Sequence, residues 1–365
     1  MRRREFLGRS GCLALSLIAS RSSVTGPQSQ NKRLTSLQAG FEREIPVWMR
    51  ETAVPGVGLA VVADARVAWR HGFGLTDAAT KKPVTTETMF EAASVSKPVF
   101  AYVVMKLCES GLLDLDTPLT KYTSERFLPD DPRLDLITAR HVLAHTAGFQ
   151  NWRSESSALA ISFRPGERHQ YSGEGYNYLQ RVVTGLLRRN FDDYMRDRLF
   201  NPLGMSSSGY VWNDEFARRM ARPHDKAGQP SNNKKSSAED VARYGSAGAL
   251  LTTPGDLATF MAAVIAPAPA DSHRLSASTV AAMLRPQVKI EGGTYPASWA
   301  LGWQIFKNGE RDFLYHAGDN DGFHCFVVGS VAGRSALVVM TNGEGGTGLL
   351  SKALMAPYTQ AFLTA

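Results

Sequence analysis

The apolar positions of this chain follow two rhythms, and each rhythm occupies its own part of the sequence. GVGLAVVA and RVAWRHGFG, on either side of Asp64-Ala65, are β-rich runs flanking a short turn, which predicts a hairpin. Ahead of them, LTSLQAGFEREIPVWMRET at 34–52 has the spacing of an amphipathic helix, with an interruption expected near Pro46. From Ser94 to about residue 284 the apolar spacing lengthens to three or four. It predicts helices over 101–110, 138–145, 175–189, 191–199 and 255–265, with a polar flexible stretch at 225–240. Residues 285–365 return to strands, LGWQIFK, DFLYHAG, GFHCFVVGS and SALVVMTNG, before a closing helix at about 347–363.

Strands at both chain ends with helices between them imply an α/β protein of the α+β type. Residues 27–93 and 285–365 are expected to form an antiparallel sheet lobe flanked by helices. Residues 94–284 are expected to form an inserted, mainly helical lobe, with a binding cleft at the seam.

One stretch at that seam carries chemistry. In FEAASVSKPVF, Ser94 stands three residues before Lys97, just ahead of the apolar helical positions Val99, Phe100, Tyr102, Val103, Val104, Leu107 and Cys108. Pro98 is tolerated only in a first turn, where a backbone N–H has no intrahelical partner. Ser94 is therefore placed at the helix start and Lys97 one turn on, on the same face. A hydroxyl beside an amine at the positive end of a helix is a candidate activated nucleophile. An N-capping serine beside a solvated lysine is the plain alternative, because S-x-x-K is short.

Charge narrows the field of partners. Residues 1–33 hold seven Lys/Arg against the single acid Glu5, so the +7 of the whole chain falls to +1 over residues 34–365. A near-neutral body offers no basic face for nucleic acid. The N-terminus combines a basic start with a short apolar run from Cys12 to Ala19, too short to span a membrane. Arg3-Arg4-Glu5-Phe6-Leu7 resembles the twin-arginine export signal, which predicts a signal segment at 1–26 and a periplasmic or secreted protein. Beyond that segment only Cys108 and Cys325 remain, both in apolar settings that favour buried thiols over a bridge.

Three further stretches join the serine. RPGERHQYSGEGYNYLQ places Tyr171 before a helix, YHAGDNDGF places His316 and Gly318 at a strand end, and RHVLAHTAGF precedes the first of these. With ASVSK, from about residue 38 to the C-terminus, they resemble the serine β-lactamase and penicillin-binding-protein superfamily, in its class C β-lactamase-like branch. That branch includes D-alanyl-D-alanine carboxypeptidases, D-amino-acid amidases and esterases. The resemblance implies an acyl-enzyme hydrolase that needs no metal or cofactor and takes a small-molecule or peptide substrate with a scissile ester or amide. Ser94 would be the nucleophile, with Lys97 and Tyr171 forming its proton network. The ammonium would draw the Tyr171 phenol down from its ordinary pKa near 10. His316-Ala317-Gly318 would be the third motif, and the N–H groups of Ser94 and Asp319 the oxyanion hole.

Two departures bear on the substrate. The second motif of the family is Tyr-x-Asn, and here it is Tyr171-Ser172-Gly173, which removes an amide that contacts the acyl side of the substrate. The third motif has His where most β-lactamases have Lys, and Asp319 and Asp321 follow it, a setting expected to repel a substrate carboxylate. The balance favours esters or D-amino-acid peptides over β-lactams, with a non-turnover penicillin sensor as the rival. His141 and His145 have i,i+4 spacing, but no Glu follows His141 as a zinc-protease helix requires. TNGEGGTG lacks the lysine of a phosphate loop, and Asn342 within it is expected near the cleft rim.

Overall fold

A computed structural model describes residues 27–154, 156–267, 273–291, 296–308 and 311–364; the export-signal segment lies outside them. Its strands are β1 (Gly56–Ala63), β2 (Arg66–Asp77), β3 (Lys82–Pro83), β4 (Phe90–Ala93), β5 (Leu250–Thr252), β6 (Val288–Ile290), β7 (Ala297–Trp299), β8 (Gln304–Asn308), β9 (Arg311–Asn320), β10 (Phe323–Ser330) and β11 (Ser335–Thr341). Nine of them form one antiparallel sheet in the order β3-β2-β1-β11-β10-β9-β8-β7-β6. The two chain ends meet where β1 pairs with β11, Val57 opposite Thr341. Asp64 and Ala65 both have positive φ (50° and 57°) and close the β1–β2 hairpin. β4 does not join this sheet and pairs instead with β5.

Alternation along the strands sends side chains into two cores. On β11, Leu337 and Val339 face outward, where α1 (Pro27–Thr52) supplies Leu37, Phe41, Ile45 and Trp48, and the C-terminal helices Gly346–Met355 and Pro357–Leu363 supply Leu349, Leu354 and Phe362. Ala336, Val338 and Met340 face inward to a larger core shared with α2 (Ser96–Glu109) and the intervening helices. The helix Pro254–Ile265, from the segment expected to form the helical lobe, packs directly on β1 and β11.

α1 differs from expectation at Pro46, which lies inside an unbroken helix. Buried Ile45 and Trp48 on either side anchor it to the sheet, and tertiary packing outweighs the lost N–H. Asn342 is fully buried and donates to the carbonyls of Leu75 and Thr76, so it ties β11 to β2 and does not line the cleft rim. Among the described residues no helix is long and apolar enough to cross a membrane.

Candidate active site

Ser94 occupies a sharp turn between β4 and α2. Ala93, just before it, has φ +46°, a left-handed conformation costly for a residue with a Cβ. Three contacts hold it. The Ser96 hydroxyl donates to the Ala93 carbonyl at 2.6 Å and accepts from Leu250 N–H at 3.0 Å, which pins the turn to β5. The Cys325 thiol on β10 donates to the Ala92 carbonyl at 3.1 Å. Ser96 is thus a buried structural hydroxyl, and Cys325 a packed thiol whose pKa burial raises. Cys108 and Cys325 are both free. Pro98 sits in the first turn of α2, as its missing N–H requires.

Lys97 is fully buried, yet its stem brings Nζ to 3.1 Å from Ser94 Oγ and 2.5 Å from the Ala247 carbonyl. Burial lowers its pKa from 10.5 to about 7. Tyr171, just before the helix Gly173–Leu187, completes the group. Its ring centroid is 4.9 Å from Lys97 Nζ, and the nearby Ser94 side chain works to lower the pKa of its phenol. The expected phenolate–ammonium pairing does not follow from this geometry. Burial pushes the Tyr171 phenol upward, the Ser94 side chain only partly offsets it, and burial also favours a neutral amine on Lys97. Of the three side chains, the lysine is the one whose pKa is brought near neutral.

His145, with φ +56°, is a turn former as well as a platform. Its ring packs at a tilt against Tyr171, 4.2 Å between centroids, and its Nδ1 accepts from the Ser172 N–H at 3.0 Å. His141 instead faces the Leu136 carbonyl, 3.1 Å away, so the two imidazoles have separate partners. Ser172 caps the helix Gly173–Leu187, accepting from Gly175 N–H at 2.9 Å.

His316 and Gly318 lie on the β9 face that meets the Ser94 turn. Gly318 is required by space, because a Cβ there would stand 2.2 Å from the Ala92 carbonyl oxygen. His316 is buried, with Nδ1 2.7 Å from the Ala317 carbonyl and its ring 6.3 Å from that of Tyr171. Burial, then the Lys97 charge, lowers its pKa to about 3, so it is neutral at any working pH. Asn320 and Phe323 face each other across the two-residue Asp321-Gly322 turn. By antiparallel alternation, Gly318 and His316 then bond to β10, and the main-chain groups of Ala317 and Asp319 point to the other edge of β9. β8 stops pairing at Tyr315, which leaves that edge open opposite the Ser94 turn. The Asp319 side chain lies on the far face, its carboxylate 2.9 Å from His324 Nδ1. The charge repulsion expected from Asp319 is therefore not aimed at the cleft.

The sequence reading missed Trp152 and Ala247. The indole of Trp152 stands over Gly173, and the Ala247 carbonyl anchors Lys97 across 150 positions of chain. Among the described residues no group of three His, Cys, Asp or Glu side chains is placed to hold a metal.

Comparison with known proteins agrees with this geometry. The family model described as Beta-lactamase matches residues 41–356. Protein flp of Staphylococcus aureus strain MRSA252 is 22% identical over 320 residues, 79% of this chain and 60% of that protein, so the chain spans about three-fifths of the length of this relative. Penicillin-binding protein 4* of Bacillus subtilis is 29% identical over 163 residues, 39% of this chain and 35% of that protein. A solved structure described as the D-alanine carboxypeptidase AmpC from Burkholderia cenocepacia shares the fold, with a TM-score of 0.73, 21% identity, and coverage of 88% of this chain and 99% of that one.

Proposed function

Because the chain belongs to the β-lactamase family of serine hydrolases, we propose that it is an exported hydrolase that cleaves ester or amide bonds through an acyl-enzyme on Ser94. The observation that carries this reading is the approach of Lys97 Nζ to 3.1 Å from Ser94 Oγ, with the Tyr171 ring centroid 4.9 Å from the same nitrogen.

In the proposed reaction, Ser94 Oγ attacks the carbonyl carbon and its proton passes to the neutral Lys97 amine. The electron pair of the carbonyl moves onto oxygen, which the N–H groups of Ser94 and Asp319 receive; one such donor contributes about 3 kcal/mol. As the tetrahedral species collapses, the bond to the leaving group breaks. That group takes a proton from Tyr171, which recovers one from the Lys97 ammonium. A water then repeats the sequence on the acyl-enzyme, giving its proton to the same network and releasing Ser94.

The favoured substrates are neutral esters or D-amino-acid peptides. Buried, neutral His316 supplies no cation for a substrate carboxylate, and Gly173 supplies no side-chain amide. Export rests on the resemblance of residues 3–7 to the twin-arginine signal. A turnover screen of p-nitrophenyl esters, a chromogenic cephalosporin and D-alanyl-D-alanine peptides tests this reading, with Ser94→Ala as control. Ester or D-peptide cleavage that vanishes in Ser94→Ala supports it. Clear preference for the cephalosporin overturns the substrate choice, and labelling of Ser94→Ala by a fluorophosphonate overturns the mechanism. The missing amide at Gly173 favours one second reading, a penicillin sensor, for which the covalent label persists instead of turning over.

A further inference from the structure

The benzo edge of the Trp152 indole fills the volume that any side chain at position 173 would need. A Cβ built on Gly173 would lie 2.5 Å from the Cη2 atom, 2.7 Å from Cζ3 and 2.8 Å from Cζ2. This placement is held on three sides. Gly173 N–H donates to the Asn151 Oδ1 at 2.9 Å, the Ser172 hydroxyl donates to the Gln150 carbonyl at 2.9 Å, and Arg153 pairs with Glu174 at 2.8 Å. The Glu174 side chain is only 4% exposed and also accepts from the Arg153 backbone N–H at 3.0 Å, so the carboxylate ties the strap to the helix start although the Arg153 side chain is half exposed. The strap 150–153 is thus fastened to the same helix start that positions Tyr171.

Trp152 nonetheless keeps 49% of its surface exposed, an unusual state for a large aromatic held so firmly. Its ring centroid lies 5.8 Å from Lys97 Nζ, the atom that contacts Ser94 Oγ. A flat apolar face thus borders the reaction centre at the position where the second motif lacks its amide. Tyr171 takes the leaving-group side in the proposed reaction, which leaves the Trp152 side to the acyl group.

We propose that Trp152 is a specificity-determining wall of the acyl site, and that this hydrolase prefers substrates with a planar aromatic acyl group. The inference rests on the Ser94 hydrolase reading. Offset or edge-on packing of an aromatic acyl group on the indole adds an aromatic contact that an acetyl group does not make.

The test holds the leaving group constant. kcat/KM is measured on p-nitrophenyl acetate, butyrate, benzoate and phenylacetate for the wild type, Trp152→Ala, Trp152→Leu and Trp152→Phe, each checked for folding by thermal melting. The expected result is a loss of about five- to tenfold for the two aromatic acyl esters relative to acetate in Trp152→Ala and Trp152→Leu, with most of the preference retained in Trp152→Phe. Equal losses on all four esters, as stacking of the nitrophenol or a structural role would give, overturn the inference while leaving the hydrolase reading intact. A wild type without aromatic preference overturns it as well. If the wild type cleaves none of the esters and Ser94 takes no fluorophosphonate label, the hydrolase reading fails and the inference falls with it.

Discussion

Replacing Lys97 by Met tests the buried amine directly, through stability instead of activity. Lys97 has no exposed surface, and its pKa falls from 10.5 to about 7 on folding because burial disfavours the ammonium. Below about pH 6 the folded and unfolded chains both hold the proton, and the cost of burying the charge does not depend on pH. Between the two pKa values the unfolded chain binds more protons than the folded one. Stability must then rise with pH, by about 1.4 kcal/mol per unit once the folded amine is neutral. With the amine half protonated at pH 7, the gain from pH 7 to 9 is about 2 kcal/mol. Met keeps the unbranched stem and has no proton to lose, so Lys97→Met lacks this slope. Urea unfolding of both proteins at pH 5, 6, 7, 8 and 9 isolates the effect, because the other titrations are common to both. The variant is expected to be the more stable protein, with an advantage that is flat from pH 5 to 6 and shrinks by about 2 kcal/mol from pH 7 to 9. A constant difference across pH 7 to 9 would mean that the amine stays charged in the fold. It would then be held by a partner such as a Tyr171 phenolate, and Lys97 could not be the base for Ser94.

The same titration sets the kinetics: kcat/KM for a neutral ester should rise as pH increases through about 7, following the loss of the Lys97 proton. His316, with its pKa near 3, and His145, pushed well below the ordinary imidazole range by burial, add no limb there; a limb that survives in Lys97→Met would assign the titration elsewhere. Gly318→Ala drives a Cβ to 2.2 Å from the Ala92 carbonyl oxygen, so β9 must withdraw from the Ser94 turn. A loss of one oxyanion contact predicts a fall of about 100-fold or more in kcat, measured by burst and steady-state kinetics, and unchanged kcat would remove β9 from the oxyanion site. Ser96→Ala deletes two buried hydrogen bonds, at 2.6 and 3.0 Å, and leaves the Leu250 N–H unpartnered. Its expected cost is about 1–3 kcal/mol in urea unfolding, with kcat lowered because Ala93 loses the support for its left-handed turn.

What was legible in the sequence follows the range of the forces involved. Alternation marked β8 to β11, because a half-buried strand must sort its side chains two by two, and the alternate faces of β11 do line separate cores. Ser94 and Lys97 were readable because one helical turn separates them and Pro98 fixes where that turn begins. The continuity of α1 through Pro46 was not readable, since its support comes from sheet residues far along the chain. Nor was the pairing of β4 with β5, which joins segments about 160 residues apart.

The candidate site shows the same boundary more sharply. The residue types that carry chemistry stood in the sequence, whereas their protonation depends on burial, and burial is a property of the assembled fold. Lys97 reads as a solvated cation or a permanent ammonium until the Ala247 carbonyl and the surrounding aromatic rings are seen to enclose it. Asp319 reads as a charge at the cleft until the hairpin register sends its carboxylate to His324 and leaves its main-chain groups at the open edge of β9. Gly173 reads as a loss when the motif is inspected alone. Its meaning lies 21 positions upstream, in an irregular strap with no period to announce it, where Trp152 takes up the space the glycine leaves. A missing side chain and an added one therefore form a single structural substitution, and in the proposed site an amide that donates hydrogen bonds is replaced by an aromatic ring. On the proposed reading, selection among substrates in this site follows shape and apolar contact next to a neutral imidazole and a near-neutral amine, and anionic ligands that a permanent cation would recruit are disfavoured.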